Sequence, residues 1–206
     1  MGTHHNSLSH LNGNIMCAVD VETTGRMAGY HDIIQIAVQP LDSMLEPLEG
    51  VRPFYTNIAP EYPERAEHAA QAVHGLNLHT LKETSLDQWK IADLFDEWFQ
   101  NLKLPFRKSI VPLAHNWAFE AGFLKAWLGI ECMNEFFHPH PRDSMLLAIS
   151  LNDMAVMRGD KPIYPSVGLG QMCKQLGIDI IQAHDALSDA LAEAKLYQAL
   201  LRIHTC

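Results

Sequence analysis

Apolar residues run from Ile15 to Val21 with Asp20 as the one acid among them, and resume from Ile33 to Val38 after a turn at Thr24-Gly25. Runs this short, bounded by turn residues, predict two adjacent, well-buried strands. A linker with turn signals at Pro47 and Gly50 leads to a third strand around Phe54 to Ile58. The period then changes. Residues 66–73 predict a short helix. Residues 86–102 predict a longer one, with Trp89, Phe95, Trp98, Phe99 and Leu102 at roughly helical spacing. Residues 110–114 return to a buried strand whose Pro112, lacking a backbone donor, suits an edge or a bulge.

Downstream, Asn116 is placed to cap a helix reaching about Leu128, with Phe119, Phe123 and Trp127 at four-residue spacing. Asp143 or Ser144 can cap another to about Leu151, and a third over residues 167–176 closes at Gly177. The last helix, residues 185–201, places Leu187, Leu191, Ala194, Tyr197 and Leu201 on one face. Strands clustered early, then helices interleaved with short strands, predict an α/β domain with a central mixed sheet. Residues 1–14, rich in Asn, Ser, Gly and His without periodicity, read as a flexible leader ahead of a single domain over residues 15–206. The histidines in it, His4, His5 and His10, read as tail rather than metal site.

With 206 residues and 48% hydrophobic side chains, a packed core is expected. No apolar stretch approaches the roughly 20 residues of a membrane span, and no signal peptide is visible at the N-terminus, so a cytoplasmic protein with no membrane contact is expected. Cys17, Cys132, Cys173 and Cys206 are scattered, which indicates neither zinc nor disulfides. A net charge of −9 argues against wrapping duplexes or tracking processively along nucleic acid. It leaves room for a site that grips a few terminal nucleotides through bound cations, because these reverse the local charge.

Asp20 and Glu22, two residues apart on a strand, must point to the same side of the sheet and form a ready metal clamp. Two further segments each begin with a histidine and place an acid five residues on: His115-Asn116-Trp117-Ala118-Phe119-Glu120 and His184-Asp185-Ala186-Leu187-Ser188-Asp189. In order and spacing the three segments resemble the DEDDh 3′→5′ exonuclease family, over about residues 16–201. Val73-His74-Gly75-Leu76 resembles a segment of the DNA polymerase III proofreading subunit, and Arg142-Asp143-Ser144 the start of the helix after the fifth strand. Phe136-Phe137-His138-Pro139 and Gln182-Ala183-His184 resemble ribonuclease T.

The resemblance implies a ribonuclease H-like fold with a five-stranded mixed sheet flanked by helices. It implies release of nucleoside monophosphates from 3′ ends of single-stranded DNA or RNA by two divalent cations, Mg2+ or Mn2+. Asp20, Glu22, Glu120 and Asp189 would hold the cations and His184 would be the general base. Thr23, His74, Gly75, Leu76 and Asn116 would meet the substrate. Histidine suits proton transfer because its reference pKa of about 6.5 leaves the neutral form available. His115, ending a buried strand, is expected to hydrogen-bond in the core instead. Glu120 departs from the family, which has aspartate there, so that a binding module of weakened or lost activity is one rival; the others are a ribonuclease T-like RNA-processing enzyme and an endonuclease of the ribonuclease H type, which has no need of His184. A polymerase partner is compatible with the resemblance. The motifs specify neither DNA over RNA nor an oligomeric state.

Overall fold

The computed structural model describes residues 8–202. Five strands form one mixed sheet: β1 (Ile15–Thr23), β2 (Ile33–Pro40), β3 (Phe54–Asn57), β4 (Ile110–Ala114) and β5 (Arg142–Asp143). Their order across the sheet is β3-β2-β1-β4-β5. β1 to β3 pair antiparallel, whereas β4 runs parallel to β1 and β5 parallel to β4. Seven helices are interleaved: α1 (His68–His74), α2 (Leu78–Thr84), α3 (Gln88–Asn101), α4 (Trp117–Phe136), α5 (Ser144–Met157), α6 (Leu169–Leu176) and α7 (Ala186–Arg202). The expected α/β architecture is present.

Strand alternation partitions the core. Ile15, Cys17, Val19 and Val21 of β1 face an aromatic layer with Phe95, Phe99, Phe123 and Phe136 from α3 and α4. Met16 and Ala18 face the opposite side, against Ala186, Ala190 and Ala194 of α7. Because the side-chain period of a strand is two, Asp20 and Glu22 continue the series of Met16 and Ala18 on the α7 side.

Several expectations are corrected in detail. β4 is interior, with Pro112 in register with Cys17 and no bulge; the strand accepts proline because pairing with β5 begins only at Leu113. Trp89 is exposed, and Ile91 takes its place with Phe95 and Phe99 on the buried face of α3. On α7 the leucine stripe is not the buried face: Leu201 is exposed, and Ala186, Ala190 and Ala194 lie against the sheet. Small side chains let the helix axis come close, so Leu187 and Tyr197 flank the contact rather than fill it. Residues 8–14, expected as part of a leader, fold onto the domain: Leu11 is buried against Met16 and Leu41, and the Asn14 side chain bridges Leu11 and Ser109. The rest of that expectation, residues 1–7, lies outside the described residues.

Asn116 stands at the start of α4, but its side chain caps nothing, and its backbone is left-handed at φ 87°. Asp143 supplies the missing acceptor. One carboxylate accepts from the backbone N–H of Leu146 (3.0 Å), starting α5, and from those of Trp117 (2.8 Å) and Asn116 (3.3 Å), starting α4. α4 breaks at Gly129 (φ 79°, ψ 163°), close to the expected end at Leu128. Removal of one N-cap costs about 1 kcal/mol, and Asp143→Ala removes two. It is expected to lower stability by about 2 kcal/mol in urea unfolding, whereas a change within about 0.5 kcal/mol would mean the two helix starts do not depend on this side chain.

Candidate active site

Asp20 and Glu22 sit near the end of β1, opposite Ala37 and Gln35 of β2. The turn that follows is held tightly. Thr24 exchanges hydrogen bonds with Asp32, accepting at Oγ1 from its N–H and donating its own N–H to its carbonyl, and Thr23 Oγ1 donates to the Gly25 carbonyl at 2.7 Å. Gly25 is required by close approach: a Cβ there would stand 2.5 Å from the buried His31 ring. Thr23, one of the residues expected at the substrate, is buried, and its hydroxyl is engaged within this turn.

The start of α7 is pinned to the far strands. Gln35 Oε1 accepts from the Ala186 N–H at 2.8 Å, its Nε2 donates to Asn57 and Tyr55, and the Tyr55 hydroxyl donates to Asp185. Asp185 also accepts from the Ser188 N–H, in the manner of a helix cap. His184, left-handed at φ 64°, donates its backbone N–H to Asp189 Oδ2 at 3.0 Å. Its ring is exposed, and ligand atoms of Glu22, His184 and Asp189 all lie within 4.8 Å of one another. The geometry therefore allows His184 as a cation ligand as well as a base.

Glu120 enters from the first turn of α4, 4% exposed. Glu22 is 9% and Asp189 8% exposed. Asp20, which keeps some exposure, is the centre of the group, feeling the charges of Glu120, Glu22 and Asp189 and lying close to a fifth acid, Glu193. Glu193 did not figure in the motifs. It lies four residues beyond Asp189, on the same face of α7. The signal available in the sequence was a charged residue within the alanine series of that helix.

Burial, then mutual repulsion, pushes the carboxyl of Asp20 well up. Burial, with Asp189 and Asp185 beside it, pushes Glu22 up to about 7. Glu120 is pushed up to about 8, chiefly by burial. Asp189 and Glu193 are raised as well, again chiefly by burial. Among the described residues, no lysine or arginine is one of the groups acting on these five acids.

Glu120 Oε2, Asp189 Oδ1 and Glu193 Oε2 are buried without a hydrogen-bond partner. Hard oxygen donors left unpaired in an enclosed acidic pocket are what a divalent cation such as Mg2+ or Mn2+ requires. Asp143 and Asp185 differ, since both carboxylates are engaged by helix N–H groups or by Tyr55.

His115 is held in the core between Ser144 Oγ and the Val167 carbonyl, each at 2.8 Å. A carbonyl can only accept, so Nε2 carries the proton, and burial lowers the pKa of this imidazole. His74, at the end of α1, is buried, and burial, then the neighbouring His184, lowers its pKa. Its Nδ1 accepts from the Leu76 N–H across Gly75, which closes the helix at φ 66°. Leu76 itself is half-buried against Ile34, Leu78 and Leu81.

A carboxyl whose folded pKa exceeds its unfolded value holds protons that the unfolded chain has released, so stability falls as pH rises between the two values. That interval runs from 4.5 to about 7 for Glu22 and from 4.5 to about 8 for Glu120. Thermal unfolding in chelator is therefore expected to give the highest Tm near about pH 5 and a continuous decline towards about pH 8. A Tm that rises over that span would show that these groups are ionised in the folded protein.

A family model described as an exonuclease, RNase T, matches residues 17–197. The PolC-type DNA polymerase III of Streptococcus pneumoniae is 28% identical over 179 residues, which is 86% of this chain and 10% of that protein; the chain thus spans about a tenth of the curated relatives it matches. Among solved structures, the nuclease domain of 3′hExo, a DEDDh family member bound to rAMP, superposes with a TM-score of 0.65 at 14% identity, covering 99% of this chain and 96% of that one. Escherichia coli exonuclease I in complex with a dT13 oligonucleotide gives 0.66 at 18% identity, covering 90% and 40%. Cell-death related nuclease 4 gives 0.64 at 19% identity, covering 93% and 64%. These likenesses establish the ribonuclease H-like exonuclease fold.

Proposed function

This chain belongs to the exonuclease family, and from that premise we propose that it removes nucleoside monophosphates one at a time from the 3′ ends of single-stranded nucleic acid, in a cytoplasmic setting. The observation that carries the proposal is the convergence of Asp20, Glu22, Glu120 and Asp189, from three separate elements, beside an exposed His184. Direction and substrate draw support from neighbours described with rAMP or with a dT13 oligonucleotide.

Asp20, Glu22 and Asp189 would hold one divalent cation, and Asp20 with Glu120 a second. The chemistry such cations would supply is activation of water and stabilisation of the leaving 3′ oxygen. His184 accepts the proton of the attacking water through its ring, while its backbone N–H fixes one oxygen of Asp189. His74, Gly75 and Leu76 border the pocket through the approach of His74 to His184, and Leu76 offers the exposed part of its side chain to a terminal base. Asn116, at the entry to α4 with a side chain that caps no helix N–H, meets the substrate.

The deciding experiment uses a 5′-labelled single-stranded oligonucleotide with Mn2+. Stepwise shortening from the 3′ end, with release of mononucleotides, is expected; internal fragments would indicate an endonuclease, and intact substrate a binding module. Matched DNA and RNA strands under the same metal condition assign the sugar preference.

His184→Ala is expected to reduce the rate about 10² to 10⁴-fold, the span of a lost general base, with Mn2+ affinity nearly unchanged. A parallel loss of Mn2+ binding would instead make the ring a cation ligand.

Glu120 carries one methylene more than the family's aspartate, and Mg2+ demands nearly ideal octahedral geometry. Activity is therefore expected to favour Mn2+ over Mg2+. Glu120→Asp should raise Mg2+-dependent cleavage and Glu120→Ala depress cleavage with either ion, as read from initial rates. Two inert substitutions would remove Glu120 from the site.

A further inference from the structure

α7 turns two acids towards β1, and only Asp189 belongs to the recognised motifs. Glu193 is 1% exposed and lies close to the Asp20 carboxyl and the His115 backbone. Its Oε2 has no partner. The positions on either side of it, Ala192 and Ala194, are buried alanines, and Ala190 and Ala194 pack on the sheet. A glutamate enclosed in such surroundings with an oxygen unsatisfied has no structural advantage over a small apolar residue, since an unpaired buried polar group is destabilising.

The groups around Asp20 fall into two sets. Glu22, His184 and Asp189 bring ligand atoms within 4.8 Å of one another. Glu193 feels the charges of Asp20, Glu120 and Asp189, whereas Glu22 feels those of Asp189 and Asp185. Glu193 and Glu120 both act on Asp20, stand outside the Glu22, His184 and Asp189 group, and each carries a buried, unpartnered oxygen. Unpaired hard oxygens beside Asp20, outside that group, are what a second divalent cation would require.

We propose that Glu193 is a fifth acid of the metal centre, which together with Asp20 and Glu120 binds the second divalent cation. This rests on the two-cation reading above. Two glutamates then meet at one position, and the added negative charge strengthens a site that Glu120, with its longer arm, holds with less ideal geometry.

The test is titration of the full chain with Mn2+, following free Mn2+ by electron paramagnetic resonance, for the wild type, Glu193→Gln and Glu193→Ala, with Tm measured in chelator and in saturating Mn2+. The wild type is expected to bind two ions. Both variants should bind the first ion within about threefold of the wild-type affinity and the second at least about tenfold more weakly. Their metal-free Tm should be at least that of the wild type, while the increment in Tm given by Mn2+ shrinks. Two ions bound by Glu193→Gln with wild-type affinities would overturn the proposal and leave the two-cation reading intact. So would failure of both variants to fold in chelator, which would assign Glu193 to the core. A wild type that binds no Mn2+ would overturn the two-cation reading itself.

Discussion

The arrangement of the molecule turns on how closely α7 lies on β1. Ala186, Ala190 and Ala194 against Ala18 and Ala37 leave little space between helix and sheet, and into that narrow layer the fold places Asp20, Asp189 and Glu193, with Glu22 and Glu120 at its margins. Five carboxyls in one low-dielectric pocket repel one another and lose hydration, and both effects favour their protonated forms. Among the described residues no lysine or arginine offsets them, and His184 acts only on Asp189. The fold therefore stores an electrostatic stress that a bound cation relieves and that the apolar layers on both faces of the sheet must sustain.

What sustains it is a set of polar groups with a different character from those in the pocket. Asp143 is saturated by three backbone N–H groups and joins the starts of α4 and α5; Asp185 is held by Ser188 and Tyr55; Gln35 ties the first residue of α7 to β2 and β3. Each of these acceptors is satisfied, which fixes its geometry and removes it as a ligand. Glu120, Asp189 and Glu193 retain a free buried oxygen. Hydrogen-bond satisfaction thus separates acids that build the scaffold from acids available for chemistry, although all of them stand within a few residues of the same motifs.

The parts legible in the sequence were those governed by local period. The alternation along β1 put Asp20 and Glu22 on one side, and the spacing from His184 to Asp189 put an acid one turn into the last helix. Less legible was anything decided by the distance between elements. A leucine stripe looked like the buried face of α7 because apolar bulk is the usual marker, yet close packing selects alanine, and that rotation brings Glu193 inwards. Pro112 suggested an edge because its missing donor is a property of one residue. Whether a neighbour needs that donor depends on a two-residue strand thirty positions away, which periodicity cannot reveal. The cap on α4 came from Asp143 rather than Asn116 for the same reason.

Glu120 and Glu193 bear on each other in a way that neither shows alone. An aspartate extended to glutamate moves a carboxylate outward by about one carbon–carbon bond, roughly 1.5 Å, and a site with strict octahedral demand loses affinity when one oxygen is displaced. A second carboxylate beside Asp20 would offer a compensating oxygen from a different backbone element, so that the cation position would no longer depend on Glu120 alone. The cost falls on the metal-free fold, which must enclose one more carboxyl than the motifs require. Stability and cation occupancy are then linked: ions that bind the folded chain and not the unfolded one stabilise it in proportion to the logarithm of their concentration. The acids that make the empty pocket unfavourable are the same ones that make the loaded pocket cohesive.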